Sequence, residues 1–340
     1  MAQGNTRIAP EKRSALPAGT LLRRRYEIQR VLSERESGIT YRALDQACRR
    51  AVDIVEYYPA GLCARAEDGT ALFPRDKRCG ERFFAGSEAF YGQYAALTQA
   101  AGSRNLLPVY DAFFENGTVY AAVACAEGAT LRAYLAAEGR TLTDGEFAFL
   151  LSAMADALLV IHSLSIRHGG VTAESILLTA DGGALLTDYG AADALLGGAR
   201  GDDIGMLGRA LYGAYTGAPF DGRPRFPEGG SEEVRAVLER MLSDDPAMRF
   251  SGVFDLLHAA AGLDVPQEAP GVDMRSVRRL RRARAETPVR AADEPAAAMA
   301  EDTAAAATDG GKHAPRWLLP AIGAVLLLLL AALLAVLFLR

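Results

Sequence analysis

The chain has 340 residues, half of them hydrophobic, and a formal net charge of −5. That length holds a two-lobed domain with further segments to spare, and the acidic balance excludes a general nucleic-acid binder. Cys48, Cys63, Cys79 and Cys125 are scattered without a C-x-x-C pair, which favours free thiols in a reducing compartment over a metal site.

Residues 1–18 read as a tail, and the first twenty residues have no apolar core, so no secretory leader is expected there. Tyr26-Glu27-Ile28 and Val31-Leu32 lead into a turn over residues 33–38, and Ile39-Thr40-Tyr41 lead back out, as a hairpin. Residues 51–59 are a strand run, and residues 87–97 have the pattern of a helix. Asn116-Gly117 is a hairpin signal between two further strands. Ala124-Cys125-Ala126 reads as a connection to a helical half that begins near Thr130. Residues 147–161 form a long apolar helix. Two short apolar runs, 176–178 and 184–186, flank Asp181-Gly182-Gly183, a second hairpin signal. Helices are expected from Asp203 to about Tyr215 and over 234–242.

The composition changes after Leu263. Arg275, Arg278, Arg279, Arg281, Arg282 and Arg284 crowd one short stretch. Two readings of it stand level: a contact with anionic lipid, worth on the order of 1 kcal/mol per basic residue, or a solvated basic helix. The remainder up to 314 is rich in Ala, Asp, Glu, Thr and Pro, the composition of a disordered tether. Trp317 opens and Leu339 closes a charge-free run rich in Leu and Ala. About 20 such residues span the roughly 30 Å of a bilayer core. Trp317 suits the interfacial belt, and Lys312 and Arg316 just before it place the main domain on the cytoplasmic side.

His168-Gly169-Gly170 precedes the first short strand, and Asp188-Tyr189-Gly190 follows the second. With the turn at 33–38, the strand at 51–59 and Asp203-Ile204-Gly205-Met206-Leu207-Gly208, this order of motifs resembles the eukaryotic-like Ser/Thr protein kinases of bacteria. The resemblance covers about residues 19–264. It implies an α+β, two-lobed protein-kinase-like fold: a β-rich N-lobe over 19–126 and a helical C-lobe over 127–264. Residues 265–314 would be a linker, and 315–340 a single transmembrane helix.

The family's functional positions are largely altered. Its Gly-rich turn would have Ser33, Arg35 and Gly38 at the three glycine positions, with Glu34 and Glu36 adding negative charge. Val55 stands for the phosphate-pairing Lys, and Gln93 for that residue's Glu partner. Gly170 stands for the catalytic Asp and Ser175 for the metal-binding Asn. Val123 and Cys125 would line the back and hinge of a vestigial nucleotide cleft. Asp188 is retained, either as a metal ligand or as a cap of its turn. His168 and Tyr189 are implied to stack between the lobes and Asp203 to hold the catalytic loop, while Arg249 has lost its family partner. Between Asp188 and Asp203 there is no A-P-E sequence. The expectation is a membrane-anchored pseudokinase that binds a protein partner, such as an active kinase, without phosphoryl transfer. No cofactor is expected. The alternatives are an active Ser/Thr kinase using ATP and Mg, with displaced catalytic residues, and a nucleotide sensor without turnover. Asp53 shares the face of Val55 but has the wrong sign to replace a Lys. Tyr189→Phe is expected to be nearly neutral, and Tyr189→Ala to be costly.

Overall fold

Strand β3 (Gly38–Asp45) buries every second side chain, Ile39, Tyr41, Ala43 and Asp45. That is the period of a sheet with one face against a core. It pairs with β2 (Tyr26–Arg35) on one side and β4 (Arg50–Tyr57) on the other. With β1 (Leu21–Leu22), β7 (Val109–Glu115) and β8 (Thr118–Ala124) they form an antiparallel six-stranded sheet, ordered β1-β2-β3-β4-β8-β7. Asn116 and Gly117 both have positive φ, the primed turn that matches the twist of the β7–β8 hairpin.

The computed structural model describes residues 15–35, 38–125, 128–179, 181–189 and 202–263. The chain falls into two compact units, Met1–Arg290 and Ala291–Arg340, and every described residue belongs to the first. The expected tail (largely), the segment after the Asp188 turn, the arginine-rich stretch, the tether and the span from Trp317 lie outside the described residues.

Helix α1 (Lys77–Leu97) crosses the sheet and begins ten residues before the start expected from sequence. Asp76 caps it, accepting a hydrogen bond from the Cys79 amide at 2.7 Å. Gly80 and Gly86 lower the helix propensity of its first half, which hid that half from a sequence reading. Gly86 has a packing role: a Cβ there would lie 1.9 Å from the Tyr57 hydroxyl. Phe83, Phe90, Tyr94 and Leu97 make the buried stripe of the helix.

A small hairpin, β5 (Cys63–Arg65) and β6 (Leu72–Pro74), is tied to the sheet by a buried ion pair. Arg65 Nη2 lies 2.6 Å from Glu56 Oε2, and both side chains are sealed from solvent. Tyr41 donates to the same carboxylate oxygen at 2.6 Å, and Tyr120 to the other at 2.9 Å. Arg65 also donates to the Thr70 carbonyl at 2.7 Å, closing the hairpin's own turn. A buried charge is tolerable only when its lone pairs are satisfied in this way.

The lower half holds α2 (Leu131–Glu138), α3 (Asp144–Ser163), α4 (Asp203–Thr216), α5 (Glu232–Leu242) and α6 (Val253–Ala261). Strands β9 (Gly128–Thr130), β10 (Ile176–Thr179) and β11 (Ala184–Leu186) form a sheet in the order β11-β10-β9. Thr143 and Glu146 form a capping box that starts α3. Among the described residues, α3 alone is long and apolar enough to cross a bilayer. Here it is the central core helix, with Phe147, Leu151, Met154, Leu158 and Ile161 fully buried. The Leu107 amide donates to the Leu186 carbonyl and the Leu186 amide to the Asn105 carbonyl, so the approach to β7 is tied to β11.

Candidate functional site

Between the large sheet and the lower half lies a cavity of about 250 Å³. Ser33, Arg35, Thr40, Asp53 and Val55 form its roof, Val123 its back, and Leu177 and Asp188 are among the residues below. Val55 is held on β4 between Thr40 and Ala121 and brings only a branched alkyl group to the cleft. Asp53 is nearly buried, and Arg42 Nε donates to its Oδ1 at 2.6 Å. The roof thus carries an ion pair beside the apolar Val55.

Asp188 has φ +60°, a left-handed conformation that a non-glycine residue keeps only when its surroundings hold it there. Arg35 Nη1 reaches across from the β2–β3 turn and lies 3.0 Å from Asp188 Oδ2. Both side chains are about half exposed. This pair is a latch between the roof of the cleft and the residues below it. It joins residues 153 positions apart, so sequence reading named both residues but not their contact. The only signal was opposite charge at two separately assigned positions.

Several residues assigned to the site from sequence stand elsewhere. Gly38 and Cys125 are outside the cavity wall. Gly38 is required by β4, because a Cβ would lie 2.7 Å from the Glu56 carbonyl oxygen. The sequence register set Gln93 opposite Val55, but the α1 residue in the wall is Tyr94. Gln93 instead donates from Nε2 to the Arg167 carbonyl at 3.1 Å. The buried stripe of α1 sets this rotation, which a one-dimensional register cannot see. Ser175 is buried, its Oγ accepting from the Thr172 amide at 2.9 Å and donating to the Thr172 carbonyl at 3.0 Å. It staples the loop, with its hydroxyl proton given to the Thr172 carbonyl. Gly170 brings no side chain, and its amide donates to His168 Nδ1 at 3.3 Å.

His168 is buried, and with Nδ1 accepting from Gly170, Nε2 is assigned as the donor to the Thr187 carbonyl at 2.8 Å. Its ring meets Tyr189 edge-on at 5.7 Å, and Tyr189 meets Tyr94 edge-on at 6.1 Å. The three rings connect the loop, the Asp188 turn and α1. Asp203 accepts from the His168 amide at 3.0 Å, the Gly169 amide at 2.8 Å and His162 Nε2 at 2.8 Å. Burial alone would raise its pKa, but His162 and the two amides outweigh burial and hold it below the usual carboxylate value. Arg249 donates from Nε to the Ser243 carbonyl at 2.7 Å, capping the end of α5.

Burial holds the His168 pKa below the ordinary histidine value. The folded state therefore resists a proton that the unfolded chain accepts near pH 6.5. Stability from neutral His168 is complete above that pH and is lost as pH falls below it. Chemical denaturation from about pH 7.5 to about pH 5.5 should show this loss. His168→Phe should flatten the slope, and an unchanged slope would show that His168 is not the titrating group.

No family model matches the chain. Solved structures with the same arrangement are PpkA-294 in its apo form and the PknI kinase domain of Mycobacterium tuberculosis. The first has a TM-score of 0.62 and 24% identity, covering 73% of this chain and 100% of that one. The second has a TM-score of 0.55 and 22% identity, covering 73% and 98%. The chain has the protein-kinase fold. Its curated sequence relatives are kinases too. It is 25% identical over 192 residues to 3-phosphoinositide-dependent protein kinase 1 of Arabidopsis thaliana, covering 42% of this chain and 39% of the relative. It is 28% identical over 283 residues to CBL-interacting protein kinase 22 of Oryza sativa subsp. japonica, covering 67% and 60%. It is 26% identical over 194 residues to serine/threonine-protein kinase PrkC of Bacillus subtilis, covering 49% and 29%. Each match spans less than two thirds of the relative's own length.

In a kinase fold, phosphoryl transfer rests on a Lys, a Gly-rich loop, a metal-holding Asp and Asn, and a catalytic Asp. Asp188, the carboxylate that the resemblance implies for a metal, is engaged here by the Arg35 guanidinium. Among the described residues, no group of three or more His, Cys, Asp or Glu side chains gathers to hold a metal.

Proposed function

We propose that this protein is a pseudokinase, a kinase-fold binding protein that transfers no phosphate and acts as a scaffold or allosteric regulator in signalling. The contact between Arg35 and Asp188 carries the reading. A kinase cleft needs its carboxylate free for a metal ion that neutralises the nucleotide's phosphates. Here a cation belonging to the chain stands 3.0 Å from that carboxylate. The Lys position is Val55, the catalytic Asp position is Gly170, and the Ser175 hydroxyl bonds the Thr172 amide and carbonyl of its own loop.

The test is incubation with labelled ATP and Mg, read as incorporation, beside thermal shift with the same ligands. No incorporation and no shift are expected. Labelling that disappears in Asp188→Ala would overturn the reading. Arg35→Gly should free Asp188 with little effect on melting, because exposed pairs contribute little. It should still give no ATP-dependent shift, since Val55 offers the phosphates no charge and Arg42 in the same wall is paired with Asp53. A clear shift in Arg35→Gly alone would mean that the latch was the only barrier to nucleotide.

An active enzyme with displaced residues is favoured by one observation, the Glu174 carboxylate in the cleft wall, near Gly170 in sequence. Glu174 is held by an ion pair with Arg132, however, which opposes its use as a base. The charge-free run from Trp317 to Leu339 supports a membrane anchor with the kinase-fold domain in the cytoplasm. Removing residues 315–340 should move the protein to the soluble fraction without changing its melting temperature. Retention in the membrane after that deletion would shift attention to the six arginines from Arg275 to Arg284, whose hold on lipid should weaken with salt.

A further inference from the structure

We propose that the outer face of α6 is a docking surface for the arginine-rich stretch of the same chain, residues 274–286. Helix α6 is apolar nearly all round, with Asp255 and His258 as its polar residues. A helix of that composition normally lies buried on every side. Its inner side, Val253, Leu256 and Ala260, is buried, and α6 packs against α3. On the other side Phe254, His258 and Ala261 are exposed and Leu257 is half-buried. Phe254, Leu257 and Ala261 follow at steps of three and four residues, so the outer side is an apolar strip. Phe254 is 76% exposed, and Met248, in the turn before α6, is 61% exposed. They are the two most exposed large apolar side chains among the described residues.

Chain position and charge select the occupant. Leu263, two residues beyond α6, is the last described residue. Ten residues, 264–273, separate it from Met274. Fully extended they reach roughly 35 Å, against about 14 Å for the length of α6. Pro266, Pro270 and Gly271 among them are turn signals. Met274, Val277 and Leu280 then recur three residues apart, the spacing of a helical stripe, among the six arginines from Arg275 to Arg284. Asp244 and Asp245, in the turn that leads to α6, are exposed, and among the described residues neither makes an ion pair. Asp255 already belongs to Arg240, at 2.6 Å. An apolar strip preceded by two unspent carboxylates suits apolar residues set among guanidinium groups. An anionic lipid surface would meet those carboxylates with like charge. A second copy, face to face, would set each carboxylate pair against its own equivalent. No residue of α6 lines the cleft, so the inference holds whether or not the cleft transfers phosphate.

The full chain, in a non-ionic detergent without lipid, should be digested briefly with trypsin and the cuts mapped by mass. Arg290, beyond the proposed contact, is the internal reference. Cutting from Arg275 to Arg284 should be slower than at Arg290 by about tenfold or more, because a docked segment is cut only when it opens. Phe254→Asp and Leu280→Asp should each remove that difference, and the two together should do no more. Asp244→Asn with Asp245→Asn should reduce it. Phe73→Asp, at an exposed ring on β6, should leave it unchanged. Melting temperatures confirm that each variant is folded, and Leu280→Asp, outside every described helix, keeps the test decisive should Phe254→Asp fail to fold. The proposal is overturned by equal cutting at all these arginines in the parent chain, or by protection indifferent to Phe254→Asp and Leu280→Asp. Protection that needs added phosphatidylglycerol vesicles would overturn it in favour of lipid, and protection lost on dilution in favour of a second copy.

Discussion

Tyr189→Ala should destabilise the domain by about 3–5 kcal/mol, the usual loss for removing a buried aromatic and leaving its cavity. Tyr189 is 3% exposed and stands between the rings of His168 and Tyr94. Its hydroxyl is shared between the Leu186 carbonyl at 2.8 Å and the Leu107 carbonyl at 3.1 Å. The Tyr94 hydroxyl in turn donates to the Tyr189 carbonyl at 2.7 Å. One side chain therefore joins α1, the approach to β7, β11 and the loop of His168. Those bonds also correct the expectation for the milder variant. Tyr189→Phe leaves the Leu107 carbonyl without this donor in a dry site, and should cost about 1 kcal/mol instead of being neutral. Urea denaturation of the parent, Tyr189→Phe and Tyr189→Ala should give that order. If Tyr189→Ala unfolds with the parent's midpoint, the three rings do not hold the halves together.

Arg65→Met should be as damaging, at about 3–5 kcal/mol, because it leaves the Glu56 carboxylate buried without its cation. Adding Glu56→Gln to Arg65→Met should recover much of the loss, since the buried charge then disappears along with its partner. Tyr41 and Tyr120 can still donate to a Gln oxygen. A double-mutant cycle by denaturant titration measures this coupling. Equal losses for the single and double variants would show that the hairpin is held by packing alone.

The two networks differ in how much of each was legible in the chain. His168, Tyr189 and Asp203 are parts of local motifs, and their residue types at that spacing pointed to one loop and one turn. Glu56 and Arg65 are nine residues apart with a Pro and a turn between them. Nothing in the period of either strand says that both charges face inward, because period describes which face is buried and not what a buried charge meets. The same limit applies to Gln93 and Tyr94. Adjacent residues on a helix point about 100° apart, so an error of one position exchanges a residue in the cleft wall for one bonded to the loop behind it.

The sequence by itself carried the kinase resemblance, and with it the expectation that Val55, Gly170, Ser175, Ser33 and Arg35 stand where that family has its Lys, Asp, Asn and glycines. It also determined most strands and helices, because burial with period two or near 3.6 is written locally. Only the tertiary structure decided what the remaining groups do to one another. Arg35 meets Asp188, Arg42 meets Asp53, Ser175 turns its hydroxyl into its own loop, and Arg249 caps α5. The physical reason is that an ion pair or hydrogen bond is set by distances of about 3 Å, fixed by how distant segments pack, and no local pattern records them.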